Sequence, residues 1–203
     1  HSAEELDSYI GRNLGFLGFT TELVAQNDWR AVKPVFTVSA GALSEKIDAL
    51  ATIPGEVWSS TLFEDTDRIR DILLQIRVGM EQGFLNNGHS AALARSLSYT
   101  KPSALVAQQL SGVDFYLFVR DLIDHYDERC AELCNKLREL SARIFTSTNT
   151  VVSFTGTDED HDRFWSRAGT LGLSPRVAGA PQLMVPAPQN KHEAFIIPSD
   201  VCF

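Results

Sequence analysis

Apolar residues recur every three or four positions through the middle of the chain, which predicts a series of helices. The first of these helices is expected to begin after Asp65 or Thr66. Its single apolar stripe consists of Ile69, Ile72, Leu73, Ile76, Met80 and Phe84. Residues 86–88 (Asn-Asn-Gly) are expected to end this helix with positive-φ residues, and Ser90 is expected to cap the next helix, 91–99.

Helices are also predicted on both sides of this pair. The remaining predicted helices span residues 2–12, 43–60, 102–111, much of 113–145, and 158–169. Proline at position 102 suits the first turn of a helix, whereas Pro54 is expected to kink or divide the helix in which it lies. Thr157 or Asp158 is expected to cap the last helix.

Strand-like composition is confined to short segments. Residues 16–25 and 32–40 predict two strands joined by a turn at residues 27–28 (Asn-Asp), which together form an antiparallel hairpin. Residues 150–155 (Thr-Val-Val-Ser-Phe-Thr) predict a third strand. The predicted fold class is therefore α+β, with a small, mainly antiparallel sheet, helices packed on one face of it, and a helical array.

The chain is expected to be a piece of a longer polypeptide. It begins inside a predicted helix and stops in an apolar segment, whereas termini are usually polar and loosely held. We predict one α+β domain over residues 1–172, a proline-rich extended linker over 173–192 and the first strand of a following domain over 193–203.

Composition narrows the functional classes. The formal charge of −8 over 203 residues disfavours a nucleic-acid partner, which requires clustered Lys and Arg. No apolar run is long enough to span a membrane, and acidic residues occupy the place of a basic signal-peptide region. The three cysteines, Cys130, Cys134 and Cys202, follow no disulfide-framework spacing. We therefore predict a cytoplasmic protein with no membrane partner.

Three groups of polar residues resemble functional motifs. His89-Ser90 would suit acyl transfer, but the chain lacks a Gly-x-Ser-x-Gly elbow, so a helix cap is preferred. Cys130 and Cys134 could supply half of a zinc site, but no second ligand pair lies nearby, so small residues in an apolar stripe are preferred. The acidic run 158–162 lacks EF-hand spacing and is interpreted as a helix start, whose positive end acidic residues stabilise.

His192-Glu193 resembles part of a zinc-peptidase motif. Neither His-Glu-x-x-His nor His-x-x-Glu-His occurs in this chain, however, so nothing in the sequence predicts a zinc that would activate water. We assign no catalytic, cofactor-binding or metal-binding residue, and we expect this chain alone to be inert.

Several segments of the helical array carry a combined signature. They are Asp67-Arg68-Ile69, Met80-Glu81, Gly88-His89-Ser90-Ala91-Ala92, Ala94-Arg95, Leu110-Ser111-Gly112-Val113, Phe115-Tyr116 and Phe118-Val119-Arg120-Asp121-Leu122. With the strand-like segments 35–43 and 151–159, they resemble the third homologous domain of the presequence-protease subfamily of insulinase/pitrilysin metallopeptidases. This resemblance covers nearly all of residues 2–170.

The resemblance implies a metallopeptidase-homology domain of the LuxS/insulinase-like type, here without its first strand and helix. Members of the family close four related domains around a peptide-filled chamber, with the zinc motif in the first domain and substrate-gripping residues in the fourth. The resemblance thus implies a non-catalytic, chamber-forming fragment of a zinc metalloendopeptidase that degrades unfolded peptides. No cofactor is expected in this fragment, and zinc is expected in the parent protein.

The expected partners are the remaining domains of the parent peptidase and, in the parent, its peptide substrates. Uncovered strand edges and apolar helix faces also predict self-association of the isolated chain. Two alternatives remain open at this point: a self-standing protein-interaction domain, and an inactive core-type subunit.

Overall fold

A computed structural model describes residues 3–24, 32–175, 185 and 187–197 of the chain. Its elements are α1 (Ala3–Asn13), β1 (Phe16–Val24), β2 (Lys33–Gly41), a 3-10 turn (Ser44–Lys46), α2 (Ile47–Ser60), α3 (Thr66–Asn86), α4 (Gly88–Leu97), α5 (Pro102–Ser111), α6 (Val113–Asp124), α7 (Tyr126–Ile144) and α8 (Asp158–Ala168). β1 and β2 pair in a two-stranded antiparallel sheet. Helices combined with this sheet confirm the predicted α+β class.

The chain divides into two compact units, each assembled from separate segments. The first unit comprises His1–Thr20, Phe36–Phe63 and Asn135–Pro181. In it, α2 packs against α8. The buried residues at this contact are Ile47, Ala51, Phe164 and Ala168, with Leu50, Phe154 and Leu171 packed against them. Small alanines on both helices let the two backbones approach closely, and the larger side chains fill the remaining space.

The second unit comprises Thr21–Val35, Glu64–Cys134 and Gln182–Phe203. Within it α3 packs on α4 and α6, and α5 packs on α4 and α6. The most buried apolar side chains of this unit are Val106, Val113, Val119, Leu122, Tyr126 and Cys134. The Tyr126 hydroxyl donates to the Thr66 carbonyl, which satisfies a phenol that would otherwise be costly to bury.

Predicted helix ends agree with the structure where a side chain or ring determines them. The Asp65 carboxylate accepts from the Arg68 N–H at 2.9 Å and caps α3. The Thr157 hydroxyl accepts from the Asp160 N–H at 3.1 Å and caps α8. Pro102 is in the first turn of α5. Each of these contacts satisfies or removes a helix N–H that has no partner within the helix.

The predicted cap of α4 is wrong. The helix begins at Gly88, two residues earlier than expected, and Ser90 lies inside its first turn with its N–H donating to the Asn87 carbonyl. Asn87 is the N-cap, with φ −136° and no side-chain cap hydrogen bond. The expected positive-φ stop at 86–88 is also absent. The chain changes direction between α3 and α4 through this one extended residue, so no left-handed residue is needed.

Two further expectations are corrected. Residues 150–155 form no strand, and Val151 is 94% exposed. Strand-like composition requires a neighbouring strand edge, and the described residues place none beside it; instead Phe154 packs against Phe164 at 5.1 Å. The division predicted at Pro54 does not occur either, because α2 continues six residues beyond it to Ser60.

Some predictions fall partly outside the described residues. The turn at 27–28 and Cys202 lie there, as does much of the proposed linker and final strand. In their described part, 173–175, 185 and 187–197 form neither a helix nor a named strand, and Ser174 makes a single parallel bridge to Thr146. The proposed domain boundaries stay a prediction.

Candidate functional site

A buried guanidinium is the centre of the candidate site. Arg95, near the end of α4, is only 5% exposed. Its Nη1 donates to Asp114 Oδ1 at 2.7 Å, and its Nη2 donates to both carboxylate oxygens of Glu193 at 2.9 Å. Burying an unpaired charge costs several kcal/mol, on the order of a domain's whole stability, so these two carboxylates are what allow an arginine here.

The protonation states follow from this pairing. Burial opposes the charge on Arg95, but hydrogen bonds to Glu193 and Asp114 outweigh it and raise the Arg95 pKa above its ordinary value. The hydrogen bond from Arg95 likewise holds the pKa of the Glu193 carboxyl below its usual range, although partial burial acts in the opposite direction. Both groups are therefore ionised at neutral pH.

Aromatic rings and a small cavity surround the guanidinium. The Arg95 guanidinium carbon lies 5.7 Å from the Phe195 ring centroid and 6.0 Å from that of Tyr99, within cation–π range. A cavity of about 200 Å³ adjoins it, lined by Arg95, Ser98, Tyr99, Leu105, Ala187, Gln189 and Lys191. Arg95 Nε is buried without a hydrogen-bond partner among the described residues. This arrangement can bind carboxylates, and it contains no activated nucleophile or general base.

A second polar network joins α3 to α6. The Tyr116 hydroxyl donates to Glu81 Oε1 at 2.9 Å, and Arg77 Nε donates to the same oxygen at 3.0 Å. These two donors lower the Glu81 pKa. Burial, followed by the adjacent Glu81 carboxylate, raises the Tyr116 pKa. A tyrosine with a raised pKa and a carboxylate with a lowered one hold helices together and are poorly suited to proton transfer near pH 7.

The sequence-derived candidates are scattered over the described chain. His89 and Ser90 are exposed in the first turn of α4. Cys130 is half-buried and Cys134 is buried, and both are free thiols. Burial of Cys134 confirms its interpretation as a small core residue. The run 158–162 forms the start of α8, as predicted, with hydrogen bonds from Thr157 and Ser44 lowering the Asp160 pKa.

Metal and membrane features were also sought in the described part of the chain. No three His, Cys, Asp or Glu side chains converge there in a way that could hold a metal ion. No helix among those same residues is long and apolar enough to cross a membrane.

The pairing of Arg95 with Glu193 was missed by sequence reasoning. Arg95 was noted only within a matching segment, and Glu193 only as part of a possible peptidase motif. The two residues are 98 positions apart, and no local spacing connects them. Since a salt bridge over this distance along the chain has no periodic signature, only the folded backbone shows it.

Comparisons with known proteins identify the family. Residues 1–122 match the peptidase-associated family of metallopeptidase family sixteen, subfamily C. Protein HypA of Clostridium perfringens (strain 13 / Type A) is 26% identical over 154 residues, which cover 76% of this chain and 15% of that protein. Presequence protease 1, chloroplastic/mitochondrial, of Arabidopsis thaliana is 22% identical over 153 residues, covering 74% of this chain and 14% of that protein.

The chain thus spans only a small part of the length of the curated relatives it matches. The family match, by contrast, covers more than half of the chain. It includes every segment from Asp67 to Leu122 on which the resemblance was based. This chain belongs to the peptidase-associated family of metallopeptidase family sixteen, subfamily C.

Proposed function

We propose that this chain is a non-catalytic, chamber-forming part of a zinc metalloendopeptidase that degrades unfolded peptides. The observation that supports the proposal is the match of residues 1–122 to a peptidase-associated family, together with a relative named as a presequence protease. In this proposal the α+β fold is an incomplete metallopeptidase-homology domain. Its partners are the remaining domains of the parent protein and that protein's peptide substrates.

The polar clusters of the described residues suit a structural role. Arg95 is neutralised by two carboxylates, and Glu81 by an arginine and a tyrosine. Charge-saturated groups of this kind fix neighbouring elements and are poor proton acceptors. No described residue is proposed as a zinc ligand, because no three suitable side chains meet. The zinc of the proposed parent would be held by other polypeptide and would supply the activated water.

The net charge of −8 fits basic peptide substrates. An acidic surface raises the local concentration of basic peptides by electrostatic attraction, and the effect weakens as salt is added. The cytoplasmic location and the self-association of the isolated chain stay predictions. Fractionation of cells that express the parent protein tests the location, and light scattering on the purified chain tests the association.

A peptidase assay tests the proposed function. The parent protein and this 203-residue chain are each incubated with a basic, unstructured fluorogenic peptide, with and without 1,10-phenanthroline. We expect chelator-sensitive cleavage, restored by added zinc, by the parent and none by the chain. Cleavage by the chain itself would overturn the non-catalytic role. A parent without zinc-dependent cleavage would instead favour the inactive-subunit or interaction-domain alternative.

A further inference from the structure

The segment 187–197 lies on the second unit as a strap without regular secondary structure. Nearly all of its residues are exposed, including Ile196 at 99% and Phe195 at 47%. Little apolar surface is therefore removed from water when the strap docks, and the hydrophobic contribution to its docking is small. The cavity beside Ala187 and Gln189 shows that the strap is also incompletely packed against α4 and α5.

A single side chain carries the strap's charged contact with the helices. Glu193 has a 23% exposed side chain and accepts from Arg95 through both oxygens. Lys191, the other charged side chain near it, is half-exposed and 3.9 Å away, so it contributes little. Hydrogen bonds to charged groups are among the stronger ones in proteins, so Glu193 dominates the docking of the strap.

The second carboxylate makes release of the strap possible. When Glu193 departs, Arg95 keeps its 2.7 Å hydrogen bond to Asp114, which belongs to α6 and not to the strap. Opening therefore leaves a paired arginine within the helices, where an isolated buried charge would otherwise make it prohibitive. A buried arginine with one permanent and one removable partner has the properties of a latch.

We infer that Glu193 latches the strap 187–197 onto Arg95, and that the strap opens as a unit while α4, α5 and α6 stay folded. The latch controls whether the segment is held against the helical array or free to move. This inference does not rest on the proposed peptidase function, because every contact that it uses lies within the second unit.

Backbone ¹⁵N relaxation of the full chain tests the latch. In the unchanged chain, the strap amides are expected to have order parameters near the rigid value of about 0.85. Glu193→Ala should shift the equilibrium toward the open strap about 10- to 100-fold and lower these order parameters below about 0.6. The amide spectrum of α4–α6 should remain that of a folded protein.

Two matched variants make the test decisive. Lys191→Ala truncates another charged residue of the strap and should leave its order parameters unchanged. Asp114→Ala removes the permanent partner of Arg95 and should leave the strap ordered. The latch is refuted by a rigid strap in Glu193→Ala, by a mobile strap in the unchanged chain or in Lys191→Ala, by loss of the strap in Asp114→Ala, or by unfolding of the helices in Glu193→Ala.

Discussion

Gly55 lies inside α2 at a point where the helix touches the turn that follows α8. A Cβ placed on Gly55 would come 2.9 Å from the Leu171 carbonyl oxygen and 3.0 Å from the Leu171 carbonyl carbon. Both are backbone atoms, so no side chain can rotate away. Gly172, with φ +66°, forms the other side of this contact, and its own Cβ would lie 2.7 Å from the Gly55 carbonyl oxygen.

Gly55→Ala should therefore destabilise the protein, although alanine is the better helix former. The helix preference for alanine contributes a gain of about 1 kcal/mol. Overpacking a close contact costs about 1–3 kcal/mol, and a clash with backbone on both sides belongs near the upper end. The expected net loss is about 1–2 kcal/mol, and the midpoint of thermal unfolding should fall by about 3–6 °C for a chain of this size.

Gly79→Ala in α3 is the matched control. A Cβ at Gly79 would meet nothing within 4 Å, so only the helix preference operates. This variant should gain about 1 kcal/mol. Urea unfolding followed by far-UV circular dichroism measures both variants against the unchanged chain. The reasoning is refuted if Gly55→Ala is as stable as the unchanged chain, or if the two substitutions shift stability in the same direction.

Two further predictions concern a buried amide and a titrating histidine. Gln108 is 3% exposed, and its Oε1 accepts from the Val113 N–H at 3.0 Å, so Gln108→Ala should cost about 1–3 kcal/mol in urea unfolding, whereas the exposed Gln82→Ala should change little. Equal effects of these two substitutions would contradict that role. A hydrogen bond to the Asp121 backbone, then the Asp121 charge, raises the His125 pKa. The charged form is favoured on folding, so its stabilisation is complete below about pH 6.5 and disappears as pH rises through the folded-state pKa. His125→Gln should therefore show a smaller change in urea midpoint between pH 5.5 and 8.5 than the unchanged chain, and an identical change would contradict the assignment.

Local sequence determined most of the helices of this protein and several of their ends. The caps at Asp65 and Thr157 and the start at Pro102 depend on contacts within four residues, so the residue types alone predict them. The start of α4 was misplaced at Ser90, since serine is a good cap wherever a helix begins but does not decide where it begins. The family resemblance could likewise be read from short segments, and the family match confirmed it.

The tertiary structure decided which segments of suitable composition find a partner. Residues 150–155 have the composition of a strand, but a strand requires a neighbouring edge, and in the folded chain Phe154 packs into a helical core instead. Arg95 and Glu193 meet across 98 positions, and only the packing of α4, α6 and the strap makes a charge tolerable there. Periodicity and capping act over one or two helical turns, whereas burial and charge pairing depend on distances in space that the order of residues does not specify.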